Sequence, residues 1–279
     1  MVTAADGVAV ANHELGGSGP AILFSHATGL HGLVWAPLAS HLQDAFRCVS
    51  LDHRGHGDSG TPPGLDFDWR GLARDVLAVV DGLALGDAGA PVFGVGHSSG
   101  GTAVLLAEQA RPGTFAALYC FEPILVAADP PLGRDTGNWL AAGARRRREV
   151  FGSREEARDQ YAAKPPFADW SAEALEAYVG HGFEDLPDGT VRLKCRGENE
   201  ALVYEMATAH DGFARLARVR CPVLLAGGET SDAFTPAARA ALLERLPDAR
   251  VEVVPRLGHF GPLEDPAAVA ASIRRFLAA

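Results

Sequence analysis

Gly96-His97-Ser98-Ser99-Gly100 stands between a short apolar run, Pro91 to Gly96, and a helical pattern from Ser99 to Ala110. A serine flanked two residues away on each side by glycine, at a strand-to-helix junction, is the pattern of a nucleophile elbow. The turn is so tight that the flanking residues must be small. Its effect is to hold the hydroxyl clear of a sheet, at the positive end of a helix where an anionic intermediate is favoured. Two other readings compete. Gly94-Val95-Gly96-His97-Ser98-Ser99 follows a dinucleotide fingerprint until its third position, where Ser99 replaces Gly or Ala, and it lies far from the N-terminal strand where that fingerprint opens a domain. The pentapeptide alone also fits a glycine-rich turn without chemistry.

A serine at its ordinary pKa is a weak nucleophile and needs a base, itself oriented by a third group. The chain order serine, acid, histidine directs the search downstream, to loops after sheet strands. His259, in Gly258-His259-Phe260-Gly261-Pro262, follows the strand pattern Arg250 to Val254 and precedes a C-terminal helix. For the acid, Asp232 and Glu229 share the loop after Pro222 to Ala226, and Glu122 follows the strand pattern Ala116 to Phe121. Asp232 is preferred on two grounds. The Glu122-Pro123 junction favours extended backbone that carries the chain away from the site, and the Asp232 loop lies among the elements that also carry His259.

The elements that must position these residues form an α/β rhythm. Val8 to Leu15, Ala21 to Ser25 and Phe46 to Leu51 read as strands. Trp35 to Leu42 and Asp68 to Leu85 read as helices, the latter with Leu72, Val76, Val79 and Val80 on one face. After the elbow, the rhythm returns with Pro222 to Ala226, Pro236 to Leu246, Arg250 to Val254 and Pro266 to Leu277. Between 127 and 211 it breaks into helical patches, Trp139 to Phe151, Arg154 to Ala163 and Ala172 to Tyr178, with Thr190 to Leu193 as the one strand-like stretch. This predicts a core of 1–126 and 212–279 and a helical insertion at 127–211.

Composition narrows the function classes. The formal net charge of −10 lacks any broad basic tract, so neither nucleic acid nor a membrane surface is an expected partner. The run Arg145 to Arg148 reads best as a solvated helix face, with phosphate recognition as the minor alternative. No apolar stretch reaches the roughly 18 residues of a membrane span, and Met1 to Val10 shows no signal-peptide pattern, so a cytoplasmic location is expected. Cys48, Cys120, Cys195 and Cys221 have no Cys-x-x-Cys spacing and read as small hydrophobes. His53 and His56 lack the further ligands a metal needs. No metal and no cofactor are expected.

The chain resembles the α/β-hydrolase superfamily along nearly its whole length. The resemblance is carried by Ser25-His26-Ala27-Thr28-Gly29, Asp52-His53-Arg54-Gly55-His56-Gly57-Asp58-Ser59, the Ser98 pentapeptide, the Asp232 loop and Gly258-His259, in the family's order. It implies an α/β-hydrolase fold with a mostly parallel eight-stranded sheet flanked by helices, and a helical cap formed by 127–211. It also implies an oxyanion hole built from the backbone N–H groups of Thr28 and Ser99. His26-Ala27 stands where the family has His-Gly, which predicts a loop of different shape. The implied activity is acyl transfer to water from an ester, lactone or thioester of an apolar or amphipathic small molecule. Carbon–carbon bond hydrolysis and cofactor-free perhydrolysis share the same residues, and a ligand receptor shares the same fold. Haloalkane dehalogenases and epoxide hydrolases of this fold need a carboxylate where Ser98 stands.

Overall fold

The computed structural model describes residues 1–278. Among them, seven strands form the central sheet: β1 (Asn12–Gly16), β2 (Ala21–Ser25), β3 (Arg47–Leu51), β4 (Val92–His97), β5 (Ala117–Phe121), β6 (Val223–Gly228) and β7 (Ala249–Val254). Their order is β7-β6-β5-β4-β2-β3-β1, parallel throughout except for β1, which runs antiparallel to β3. The sheet is one strand short of the eight expected. The stretch read as Val8 to Leu15 divides: Ala9–Val10 pairs with Val2–Thr3 in a separate ladder, and Asn12–Gly16 joins the sheet. Ala11 is the break, because its N–H donates to Ser59 Oγ and its carbonyl accepts from Asp52 N–H. The loop after β3 takes the backbone groups that a continuous outer strand would have used.

Helices α1 (Ala36–Ser40), α2 (Trp69–Gly82) and α3 (Ser99–Ala110) precede the insertion. Every residue of β2 is buried, as parallel strands covered on both faces require. Its side chains alternate: Leu23 joins Leu72, Val76 and Val104 of α2 and α3 on one face, while Ile22 and Phe24 join Leu38 of α1 on the other. The carboxylate of Asp68 caps α2 by accepting from Arg70 N–H. α3 is buried from Ser99 to Gln109, so it is the central helix against which the elbow is held.

Between β5 and β6 lie α4 (Trp139–Arg145), α5 (Arg154–Ala162), α6 (Ala172–His181) and α7 (Gly197–Glu205). The helix expected over Trp139 to Phe151 ends at Arg145, and Val150–Phe151 pairs instead with Val191–Leu193, which pairs in turn with Phe183–Asp185. Three short antiparallel strands thus stand where one was expected. The chain closes with α8 (Pro236–Leu243), α9 (Gly261–Glu264) and α10 (Pro266–Leu277). No helix among the described residues is long and apolar enough to cross a membrane.

Arg54, 1% exposed, is held by the fully buried Asp75 through Nε and Nη2, and by Asp6 through Nη1 at 2.8 Å. Removing one member of a buried pair leaves a charge without compensation. Asp75→Asn is expected to lower unfolding stability by about 3–5 kcal/mol. Asp6→Asn is expected to cost clearly less, because Asp6 is 29% exposed and Arg54 keeps its inner partner. Urea denaturation of the two variants checks this, and equal losses would contradict it.

Candidate active site

β4 runs into Ser98, whose backbone takes φ 54° and ψ −120° before α3 begins at Ser99. For a residue with a side chain this region is strained by about 1–3 kcal/mol, and close packing maintains it. A Cβ on Gly96 would lie 2.5 Å from Gly100 O, and one on Gly100 would lie 2.2 Å from Ser25 O. The two glycines therefore let α3 press against β4 and the end of β2. Ser98 N–H donates to Phe121 O at 2.9 Å, tying the elbow to β5. The side chain is half-buried and lies at the N-terminus of α3.

His259 reaches the site from the loop between β7 and α9. Its carbonyl accepts from His97 Nε2 at 2.8 Å, and the two imidazole rings lie 4.9 Å apart. His97 is therefore the residue that links the elbow to the histidine loop, a role not read from the sequence. A carbonyl only accepts, so the proton of His97 is on Nε2. Burial holds its pKa well below the usual imidazole value, and the neighbouring His259 adds to the effect. On the other side of the loop, Glu264 Oε2 accepts from Gly258 N–H at 2.7 Å.

The acid that meets His259 is Glu122 and not Asp232. His259 Nδ1 lies 2.7 Å from Glu122 Oε2. Glu122 is wholly buried at the end of β5 with φ 48°, and it also accepts from Gly228 N–H at 2.8 Å and Ser231 Oγ at 2.7 Å. Pro123 does not impose on Glu122 the extended backbone expected before a proline. The left-handed conformation turns the carboxylate back over the sheet end. Asp232 is exposed, one residue beyond the serine that supports Glu122, and Thr235 rather than Asp232 caps α8. Glu229 is also exposed and accepts from Arg256 N–H. The loop after β6 therefore contributes donors to the acid rather than the acid itself.

Thr28 Oγ1 donates to Ser99 Oγ at 2.9 Å, which brings together the two residues expected to form an oxyanion hole. Among the described residues neither amide has a backbone acceptor, whereas Gly29 N–H is taken by His56 Nε2 at 3.0 Å and Leu30 N–H by Ala27 O. Ala27 keeps ordinary backbone angles; the left-handed residue of this loop is Gly29, at φ 81°. Alanine in place of the family's glycine is therefore accommodated without strain.

A cavity of about 700 Å³ opens beside these groups, lined by Thr28 and by Phe260, the neighbour of His259. Its other walls come mainly from the insertion, with Phe151, Tyr161, Phe167, Trp170 and Tyr178 prominent. Among the described residues no cluster of His, Cys, Asp or Glu is arranged to hold a metal ion.

Residues 22–272 match the Alpha/beta hydrolase family. The chain is 31% identical over 253 residues to the pimeloyl-[acyl-carrier protein] methyl ester esterase of Chromobacterium violaceum, covering 87% of this chain and 88% of that one. It is 25% identical over 258 residues to the 2-(acetamidomethylene)succinate hydrolase of Mesorhizobium japonicum, covering 88% of this chain and 83% of the other. A crystal structure of E-2-(acetamidomethylene)succinate hydrolase superposes with a TM-score of 0.83 at 25% identity, covering 98% and 96% of the two chains. The human monoglyceride lipase matches at 36% over 113 residues, and that match spans only 37% of the lipase.

Beneath the Thr28 loop, buried histidines are fixed as neutral rings. His26 Nε2 accepts from His53 N–H, so its proton is on Nδ1, facing Ala27 O. His56 Nε2 accepts from Gly29 N–H, so its proton is on Nδ1, facing Arg54 O. A second proton on either ring would set N–H against N–H. Burial lowers the pKa of His31 and of His56 to about 4, and holds that of His26 well below the usual value. Below the unfolded value near 6.5, the unfolded chain takes up protons that the folded chain refuses. Stability is therefore expected to be full above that pH and to fall progressively down to about pH 4, by roughly 3 kcal/mol for each of His31 and His56. Urea midpoints measured from pH 7.5 to 4.5 check the sign, and a midpoint that rises on acidification would contradict it.

Proposed function

The chain belongs to the Alpha/beta hydrolase family and is a hydrolase of that fold, and we propose that it cleaves a carboxylic ester through an acyl-enzyme on Ser98. The observation that carries this reading is the bond from His259 Nδ1 to the buried Glu122 carboxylate, beside a serine held in a strained elbow. With Nδ1 engaged, the other ring nitrogen, Nε2, is left to act on the Ser98 hydroxyl. Among the described residues no hydrogen bond joins Ser98 Oγ to His259. Such contacts are often long without substrate and tighten in the complex.

In the first half-reaction, Ser98 Oγ attacks the ester carbonyl carbon while its proton passes to His259 Nε2. The tetrahedral oxyanion is met by the N–H groups of Thr28 and Ser99, and removing one such donor costs about 2.7–4 kcal/mol in a well-studied hydrolase. The C–O bond then breaks and His259 gives its proton to the departing alkoxide. In the second half, His259 removes a proton from water, the hydroxide attacks the acyl carbon, and Ser98 Oγ leaves with the proton. Glu122 orients the imidazole and stabilises its charged form. His97, kept neutral by burial, adds no competing charge beside it. The ester class is favoured by the esterase relative, whose 31% identity exceeds the 25% of the 2-(acetamidomethylene)succinate hydrolase over a similar length. The insertion serves in this reading as a cap, because it supplies most of the cavity wall.

Ser98→Ala is expected to abolish labelling by a fluorophosphonate and nearly all turnover of p-nitrophenyl esters; full labelling of the variant would exclude Ser98 as nucleophile. Glu122→Gln is expected to lose about three to four powers of ten in kcat through loss of tautomer control. Asp232→Asn should change kcat less than about threefold, as surface substitutions away from a site do. Kinetics on variants shown to be folded by circular dichroism decide the pair, and the reverse ranking would return the acid to Asp232.

A further inference from the structure

The arginine run is only in part a solvated face: Arg145, Arg146 and Arg148 are exposed, and Arg147 is half-buried. Arg145, the last residue of α4, pairs with Glu198 and Glu205, and Arg148 pairs with Glu156. Arg147 turns inward, pairs with Glu200 and donates from Nη2 to Tyr161 Oη at 3.1 Å and Tyr178 Oη at 2.7 Å. Arg146 is left exposed at the cavity, as is Lys164 just beyond α5, and among the described residues neither is in an ion pair. The cavity is lined by these two cations, by Arg147 and Arg148, and by a single acid, Glu200. On a chain of net charge −10, that concentration of one sign is local. A cleft walled by one sign of charge raises the local concentration of the opposite sign.

We propose that this cavity recognises a carboxylate on the substrate, with Arg146 and Lys164 taking the anion while the scissile carbonyl lies at Thr28 and Ser99. The proposal rests on the serine-hydrolase reading and names its substrate class: the monoester of a dicarboxylic acid. Guanidinium offers a planar pair of donors that matches a carboxylate, and the ammonium supplies a second positive charge. The phenols add to this. Each accepts from Arg147, and its own hydroxyl hydrogen has no acceptor among the described residues, so Tyr161 and Tyr178 each retain a donor on the cavity wall. The aromatic rings that line the same cavity suit the methylene chain that would join the two ends of such a substrate. Exposure of Arg146 and Lys164 makes the recognition salt-dependent.

The test compares monomethyl adipate with the neutral monoamide of the same methyl ester, which has the same length and a single scissile bond. The wild-type protein at low ionic strength is expected to prefer the acid by at least about tenfold in kcat/KM, mainly through KM. Arg146→Ala and Lys164→Ala should each reduce that ratio about threefold to tenfold, the double variant should bring it near one, and added salt should reduce it in the wild type. A ratio of one or below in the wild type, or a preference that survives the double variant, would overturn the assignment. Calorimetric binding of the same two compounds to Ser98→Ala reads the site without turnover, with the acid expected to bind at least about tenfold tighter. Equal binding there, alongside intact fluorophosphonate labelling of the wild-type serine, would sink the anion site alone. Loss of that labelling would strike the serine-hydrolase reading instead.

Discussion

Glu122 is a wholly buried carboxylate on which three separate parts of the chain converge. Gly228 N–H comes from the end of β6, Ser231 Oγ from the loop after it, and His259 Nδ1 from the loop after β7. A buried carboxylate is costly unless its lone pairs are filled, so these donors and the acid require one another. The ends of β5, β6 and β7 are thereby fixed together over the sheet, and the histidine loop has one position in which the carboxylate is satisfied. His97 and Glu264 complete that position through backbone contacts on either side of His259.

The same logic operates on the other side of the elbow. Asp52 accepts from Gly32 N–H at 2.6 Å and Asp58 N–H at 2.8 Å, closing the loop after β3. His26 and His56, each with both ring nitrogens engaged, brace the loop that carries Thr28. Of the two histidines three apart, which in isolation suggest ligation, His56 is occupied with backbone groups and His53 Nε2 meets Ser25 Oγ at 2.8 Å. The loop that carries Thr28 is thus braced from beneath by two neutral imidazoles, with the Asp52 carboxylate holding the chain just beyond it at Gly32.

The insertion builds the cavity from aromatic rings and then sets charge at its edge. Tyr161, Phe167, Trp170 and Tyr178 pack on one another with ring centroids 4.5–5.7 Å apart. Their apolar cluster is continuous with the face of the sheet that carries Ile22 and Phe24. The Arg147–Glu200 pair lies against Gly29, where a Cβ would come within 2.9 Å of Glu200 Oε1. Chain segments from the insertion therefore bear directly on the loop beside the elbow.

Local pattern was enough for everything that depends on a few neighbouring residues. Gly96 and Gly100 around Ser98 announce a tight strand-to-helix turn because no other side chain fits so close to the Gly100 and Ser25 carbonyls. The unbroken apolar run along Ala21–Ser25 follows from burial on both faces, and the spacing of Leu72, Val76 and Val79 from the helix period, so the α/β order and the position of His259 after the last strand were legible. What depended on distant partners was not. The first strand splits because Ser59, some 48 residues away, takes the N–H of Ala11. The arginine run divides because Glu200 of α7 draws Arg147 inward, while Arg145 pairs at the surface with Glu198 and Glu205 of the same helix. Above all, Glu122 and Asp232 each follow a sheet strand, and nothing in either loop tells which carboxylate turns inward. That was decided by the left-handed turn at Glu122 and by the donors from Gly228 and Ser231, contacts across 106 and 109 residues that exist only once β5 and β6 lie side by side.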